Sequence, residues 1–211
     1  MNRIPAKDRQ RIKEIYAERG ELLQKLRPEG KELLKWKYQW YMQDYLACCA
    51  SVDENVGRVL DYLDQSGLTN NTLLIYTSDQ GFYLGQNGWF DKRWMYDVSM
   101  KTPLLARWPG HIKPGTRTDV MVQNIDYAPT FLDIAGLPIP AWMQGLSLQP
   151  VLTSPKGTLP RNSLYYHFYE YKADHTVLEH LGVRGERYKL IYFYTVNEWQ
   201  LFDLQKDPME Q

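Results

Sequence analysis

The chain has 211 residues, enough for one good core or for one core with a small appendage. Lys plus Arg and Asp plus Glu both number 25, so the formal net charge is zero, which argues against a non-specific nucleic-acid binder. No stretch approaches the roughly 20 apolar residues needed to span a bilayer.

The opening MNRIPAKDRQRIKEIYAERG is charged and lacks the apolar stretch of a secretory signal. That start fits either a cytosolic protein or a chain that begins inside a longer one. Residues 5–26 read as a charged helix with Pro5 in its first turn. Ile12, Ile15, Tyr16, Leu22, Leu23 and Leu26 recur at helical spacing. Gly20 is expected to interrupt this helix, and Pro28-Glu29-Gly30 to break it. A long helix follows from about Lys31 to Ser66, its apolar positions Leu34, Tyr38, Tyr41, Tyr45, Cys49, Val52, Val56, Val59 and Leu63 stepping by three or four. Gly67 is placed to stop it. The only cysteines, Cys48 and Cys49, lie in this helix and read as part of a buried face. With no C-x-x-C spacing, neither a zinc site nor a redox pair is expected.

Thr72 to Thr77 reads as a strand apolar on both faces, as in a sheet covered by helices. A loop holding Gly81, Gly85 and Gly88 leads to a second strand, Lys101 to Trp108, closed by Pro109-Gly110. Asn124 to Ala135 reads as a helix, with Pro129 near its first turn and Gly136 as its stop. The order helix, strand, strand, helix fits an α/β layer. From about Gly145 the character changes. Pro150, Pro155 and Pro160 break up a connection, and Tyr-rich runs follow at 163–171, 182–184, 188–195 and 199–203. Their near-alternation predicts a small antiparallel sheet. The chain is thus divided into an α/β part, 1–145, and a β-rich subdomain, 146–211.

The first strand ends in Ser78-Asp79-Gln80-Gly81. Ligands of open α/β sheets gather beyond the carboxyl ends of strands, so a polar pair there is well placed for chemistry. Asp79 offers carboxylate oxygens and Gln80 an amide oxygen, hard ligands suited to calcium or magnesium. In isolation, the same residues could simply cap a turn. Lys92 follows thirteen positions after Asp79, across a glycine-rich loop that can fold back. A lysine beside a bound cation is tolerable when an anion sits between them, the geometry of an oxyanion substrate gripped from two sides. Taken alone, Lys92, Asp91 and Arg93 read as surface charges. G-x-S-x-G, a Walker glycine loop and H-E-x-x-H are missing, and His111, His167, His175 and His180 have no ligand-like helical spacing.

The run T-S-D-Q-G-F-Y-L-G-Q-N-G-W-F-D-K, Thr77 to Lys92, resembles the C-terminal metal and substrate motif of the type I, formylglycine-dependent sulfatases of the alkaline-phosphatase superfamily. Met95 to Gly110, Asp126 to Gly136, Arg184 to Ile191 and Leu201 to Glu210 resemble the segments that follow it in that family. The resemblance covers nearly the whole chain, the first 25 residues least clearly. It implies that Asp79 and Gln80 complete a calcium site and that Lys92 is a catalytic lysine contacting the sulfate. Asn87 stands where many relatives carry a His in L-G-x-H-G, which implies a weakened or retuned substrate contact. The implied reaction is hydrolysis of a sulfate ester or sulfamate. In it a hydrated formylglycine, made from Cys or Ser in C/S-x-P/A-x-R, attacks sulfur while calcium and basic residues stabilise the sulfuryl oxygens.

The chain departs from the family by lacking C/S-x-P/A-x-R, the N-terminal Asp-Asp metal pair and the upstream catalytic histidine. It therefore resembles the second half of a sulfatase, whose partner is the N-terminal half of the domain. An exposed apolar edge or face and a poorly soluble or partner-dependent fragment are expected. The leading reading is the C-terminal part of a calcium-dependent sulfatase acting on a sulfated carbohydrate. The Tyr165 to Tyr171 segment, with His167, Lys172 and His175, would face the sugar, or those tyrosines would be core of the β-sheet. A phosphodiesterase or phosphatase of the same superfamily and a non-catalytic sulfatase-like module are the alternatives. The resemblance implies an exported protein whose signal would lie upstream.

Overall fold

The computed structural model describes residues 4–170 and 176–211. Its compact units are Met1–Asp61 and Tyr62–Gln211. The first is a helical hairpin. Helix α1, Ala6–Leu26, starts after Pro5 and runs straight through Gly20, correcting the expected interruption. A single internal glycine costs about 1 kcal/mol relative to alanine and does not by itself end a helix. The break comes instead at Arg27, which takes a left-handed conformation (φ 41°) ahead of Pro28. Helix α2, Gly30–Gln65, follows. Arg19 stitches the pair: its guanidinium bonds Asp44 at 2.7 Å and lies 4.2 Å over the Trp40 ring. Tyr16 donates to the same carboxylate at 3.1 Å.

Among the described residues, neither α1 nor α2 has a buried side chain. Leu34 is 68% exposed and Leu46 57%. Large apolar side chains of α2 are thus exposed. Cys48 and Cys49 are free and exposed, correcting their expected burial: periodicity identifies the apolar face of a helix but not what covers it. No helix among the described residues is long and apolar enough to cross a membrane.

In the second unit, strand β1, Leu74–Thr77, pairs antiparallel with β4, Leu104–Arg107, in the register Leu74↔Arg107 to Thr77↔Leu104. All four β1 residues are half-buried. Between them lie a two-residue hairpin, β2 Tyr83–Leu84 with β3 Phe90–Asp91, and the short helix α3, Asp97–Met100. Helix α4, Tyr127–Ile134, begins after a turn capped by Gln123 and Asp126 and ends at Gly136, with Pro129 in its first turn. Asp126 is fully buried, and accepts bonds from the Gln123 and Leu146 amides and both Arg161 terminal nitrogens. Burial pushes the Asp126 carboxyl upward, but Arg161 and the two amides outweigh it and hold it below the usual carboxylate range.

After α5, Gln149–Thr153, the chain builds the expected antiparallel sheet. Its strands are β5 Ser163–Phe168, β6 His180–Gly185, β7 Tyr188–Phe193 and β8 Glu198–Asp203, in sequential order. Alternation along β7 turns Lys189, Ile191 and Phe193 inward. There Ile191 and Phe193 meet Tyr83, Met95 and Tyr96, so one core joins the hairpin region to the sheet. The close fit requires a glycine on β6: a Cβ on Gly182 would come within 2.4 Å of the Met95 sulfur.

His180 is fully buried in this core, against the rings of Trp94, Tyr166, Phe168 and Phe193. Its Nδ1 lies 2.7 Å from the Leu178 carbonyl, which assigns the proton to that nitrogen. Burial lowers the imidazole pKa despite this bond. The unfolded chain therefore binds the proton more readily. The fold has its full contribution from His180 above the unfolded value of about 6.5 and loses it as pH falls below that. Thermal melts are expected to show Tm declining from pH 7 towards pH 5 in the native chain, with a flatter profile in His180→Phe. An identical slope in both would contradict this.

Candidate active site

Strand β1 delivers Asp79 to the rim of an open cleft of about 1410 Å³. The end of the strand is pinned by a 2.7 Å hydrogen bond between the Thr77 and Tyr127 hydroxyls. The Ser78 hydroxyl lies 3.2 Å from both Asp79 Oδ1 and the Gln80 carbonyl, which shapes the turn. Gly81 then donates to the Ser99 carbonyl at 2.7 Å, and the chain enters the hairpin.

The return strand of the hairpin brings Lys92 back to the same cleft, as the glycine-rich loop suggested. Lys92 stands between two residues at positive φ, Asp91 at 77° and Arg93 at 103°. Such backbone costs of order 1–3 kcal/mol per residue and persists only where neighbours hold it. Here the Arg93 amide donates to Ser99 Oγ at 3.0 Å and the Arg93 carbonyl accepts from the Tyr166 hydroxyl at 2.9 Å. The Arg93 guanidinium also pairs with the Asp91 carboxylate. Arg93 is only 17% exposed, so it is not the free surface charge that its sequence position suggested.

Asp79, Gln80, Lys92 and His167 therefore share one cleft. His167 projects from the outward side of β5, bonded to the Tyr194 hydroxyl at 3.3 Å and in edge contact with the Tyr169 ring. Along the aromatic segment, Tyr165, His167 and Tyr169 are exposed, while Tyr166 and Phe168 are part-buried on the core side. Alternate residues of the segment thus face the sheet core and solvent, so only part of the aromatic run is core. Tyr171, Lys172 and His175 lie outside the described residues. Asn87 is not brought to this cleft. It takes a left-handed conformation (φ 56°) and lines a separate cavity with Trp89, Tyr96 and Gln200.

The same cleft is also lined by a charged group, Asp97, Lys101, Arg184 and Lys189, that has no signature in the sequence. Lys189 is 1% exposed, with Nζ 2.6 Å from both Asp97 Oδ1 and Glu210 Oε1. The contact to Glu210 is a buried ion pair. Glu210 Oε2 instead accepts from the Asp97 amide at 2.5 Å. Lys101 and Arg184 also face Asp97, at 2.9 and 3.5 Å. Burial raises the Asp97 pKa, but bonding and attraction to Lys189 and Lys101 prevail and lower it to about 2.

Asp79 and Gln80 present a carboxylate and an amide oxygen, the donor type a hard divalent cation selects. Among the described residues no three His, Cys, Asp or Glu side chains are grouped to hold a metal ion. The two donors thus fit such a cation as part of its coordination shell.

The sulfatase family profile matches residues 4–137, and a profile described as N-sulphoglucosamine sulphohydrolase, C-terminal, matches residues 85–211. The chain belongs to the sulfatase family. Its fold is that of the sulfatases of the alkaline-phosphatase superfamily. The N-acetylglucosamine-6-O-sulfatase of Bacteroides thetaiotaomicron is 47% identical over 99% of this chain and 38% of its own length. The human N-acetylglucosamine-6-sulfatase is 45% identical over 48% of this chain and 19% of its own. A solved structure described as a complex with its substrate D-glucosamine-2-N,6-O-disulfate superposes with a TM-score of 0.92 and 46% identity, over 99% of this chain and 43% of that one. This chain therefore spans less than half the length of these relatives.

Proposed function

We propose that this chain forms the C-terminal part of a sulfuric ester hydrolase acting on 6-O-sulfated N-acetylglucosamine, and that it provides the metal and sulfate grip of the active site. The observation that carries this reading is the convergence of Asp79, Gln80 and Lys92 on one cleft, in a chain 47% identical throughout to an N-acetylglucosamine-6-O-sulfatase. The relatives named above are sulfatases of amino sugars, so neither a phosphate-ester hydrolase nor a non-catalytic module is favoured.

In this reading Asp79 and Gln80 would hold a calcium ion through their side-chain oxygens, with other residues completing its shell. That ion would supply positive charge to the sulfuryl oxygens. Lys92 places an ammonium on the same anion from another direction, and the strained backbone around it fixes where its side chain starts. His167, with Tyr165 and Tyr169, offers ring faces and polar edges to the sugar. For Asn87 we propose at most an indirect role, since it lines a different cavity.

The test is release of inorganic sulfate by the protein carrying this chain, with N-acetylglucosamine-6-sulfate, choline sulfate and an aryl sulfate as substrates. Release from the amino sugar at a kcat/KM at least about tenfold above the other two is expected, a discrimination of roughly 1.4 kcal/mol. Preference for choline sulfate or the aryl sulfate would reject the amino-sugar assignment.

A further inference from the structure

Two parts of the proposed site, Asp79-Gln80 and Lys92, come from opposite ends of a hairpin, and both ends are fastened to a single buried residue. Ser99, 4% exposed, receives the Gly81 amide on its carbonyl at 2.7 Å and the Arg93 amide on its hydroxyl at 3.0 Å. Gly81 immediately follows the metal-side pair, and Arg93 immediately follows Lys92. The approach at Gly81 is close enough that a Cβ there would lie 2.1 Å from the Val98 carbonyl and 2.8 Å from that of Lys101. Helix α3, which carries Ser99, is itself seated by Asp97 on Lys189 and Glu210. The hydroxyl contact matters most because Arg93 holds φ 103°, a conformation that persists only where neighbouring groups fix it.

We propose that Ser99 is a positioning residue with two separable functions: its hydroxyl sets Lys92 against the sulfate, and its carbonyl sets Asp79-Gln80 against the metal. This deepens the functional reading above and rests on it. Ser99→Ala deletes the hydroxyl and keeps the carbonyl, so it addresses the Lys92 side alone.

The experiment is a double-mutant cycle between Ser99→Ala and Lys92→Ala in the protein carrying this chain, with calcium titrations of each variant and amide hydrogen exchange at Gly81 and Arg93. Ser99→Ala is expected to lower kcat/KM for N-acetylglucosamine-6-sulfate about tenfold in the native background and to change nothing further in Lys92→Ala. The calcium concentration for half-maximal activity should stay fixed. Exchange should accelerate at Arg93 and remain slow at Gly81. A loss that persists in the Lys92→Ala background, a shifted calcium midpoint, or equal exchange at both amides would overturn the proposal. If Lys92→Ala itself leaves turnover intact, the functional reading fails, and the exchange contrast alone decides whether Ser99 anchors the two ends separately.

Discussion

Lys189→Met is expected to lower the stability of the second unit by about 3–5 kcal/mol, the range for removing one partner from a buried ion pair. The lysine is 1% exposed and lies between two carboxylates, those of Asp97 and Glu210. Methionine fills the aliphatic volume of the stem but leaves both acids facing each other. Asp97 keeps Lys101 and Arg184, whereas Glu210, with 2% of its side chain exposed, keeps only the Asp97 amide among its described contacts. The loss would be a large part of the 5–15 kcal/mol that a domain usually has. Urea unfolding followed by the fluorescence of Trp89 and Trp94, which pack on the core, reads it directly. With a slope of about 2 kcal/mol/M, the midpoint should fall by about 1.5–2.5 M. The triple variant Lys189→Met, Asp97→Asn, Glu210→Gln should recover part of this, because it removes the buried charges together. A midpoint shift under about 0.5 M in the single variant would show that both acids find other partners.

Lys92→Ala is expected to lower kcat by about 10²–10³-fold, the usual cost of removing one preorganised donor aimed at a developing oxyanion. Lys92→Arg should recover only part, since a planar fork does not place its charge where an ammonium does. The protein should remain folded in both, because Lys92 lines the cleft and has no place in the buried core. An unaltered melting curve with lost turnover is therefore the signature to seek. An effect confined to KM would mean that Lys92 binds the sulfate equally in the ground state and the transition state.

The helices, the order of elements and the C-terminal meander were legible because each rests on a local signal: periodicity, a glycine stop, or near-alternation. What covers a face is not local. Cys48 and Cys49 lie in an apolar stretch of α2 and are nonetheless exposed, and the antiparallel pairing of β1 with β4 depends on a return path that no pattern encodes. At the site, the spacing of Asp79, Gln80 and Lys92 was readable because a hairpin must return its end near its start. The direction of Asn87 was not, because a left-handed residue in a tight turn aims its side chain by backbone geometry alone. Lys189 escaped notice for another reason. Strand β7, Y-K-L-I-Y-F, is mostly apolar on both faces, so alternation could not tell which side turned inward. Ser99 carried no signal at all, since its role comes from two amides, six and eighteen residues before it, that no local pattern pairs with it.

A crystal structure of the protein carrying this chain, soaked with calcium and N-acetylglucosamine-6-sulfate, would show directly what Asp79, Gln80 and Lys92 hold. The expected result is a cation bound by Asp79 and Gln80 oxygens, with the 6-sulfate between it and Lys92 Nζ, the latter within about 3 Å of a sulfate oxygen. A sulfate seated elsewhere, with Lys92 turned to solvent and Asp79 away from the metal, would contradict it.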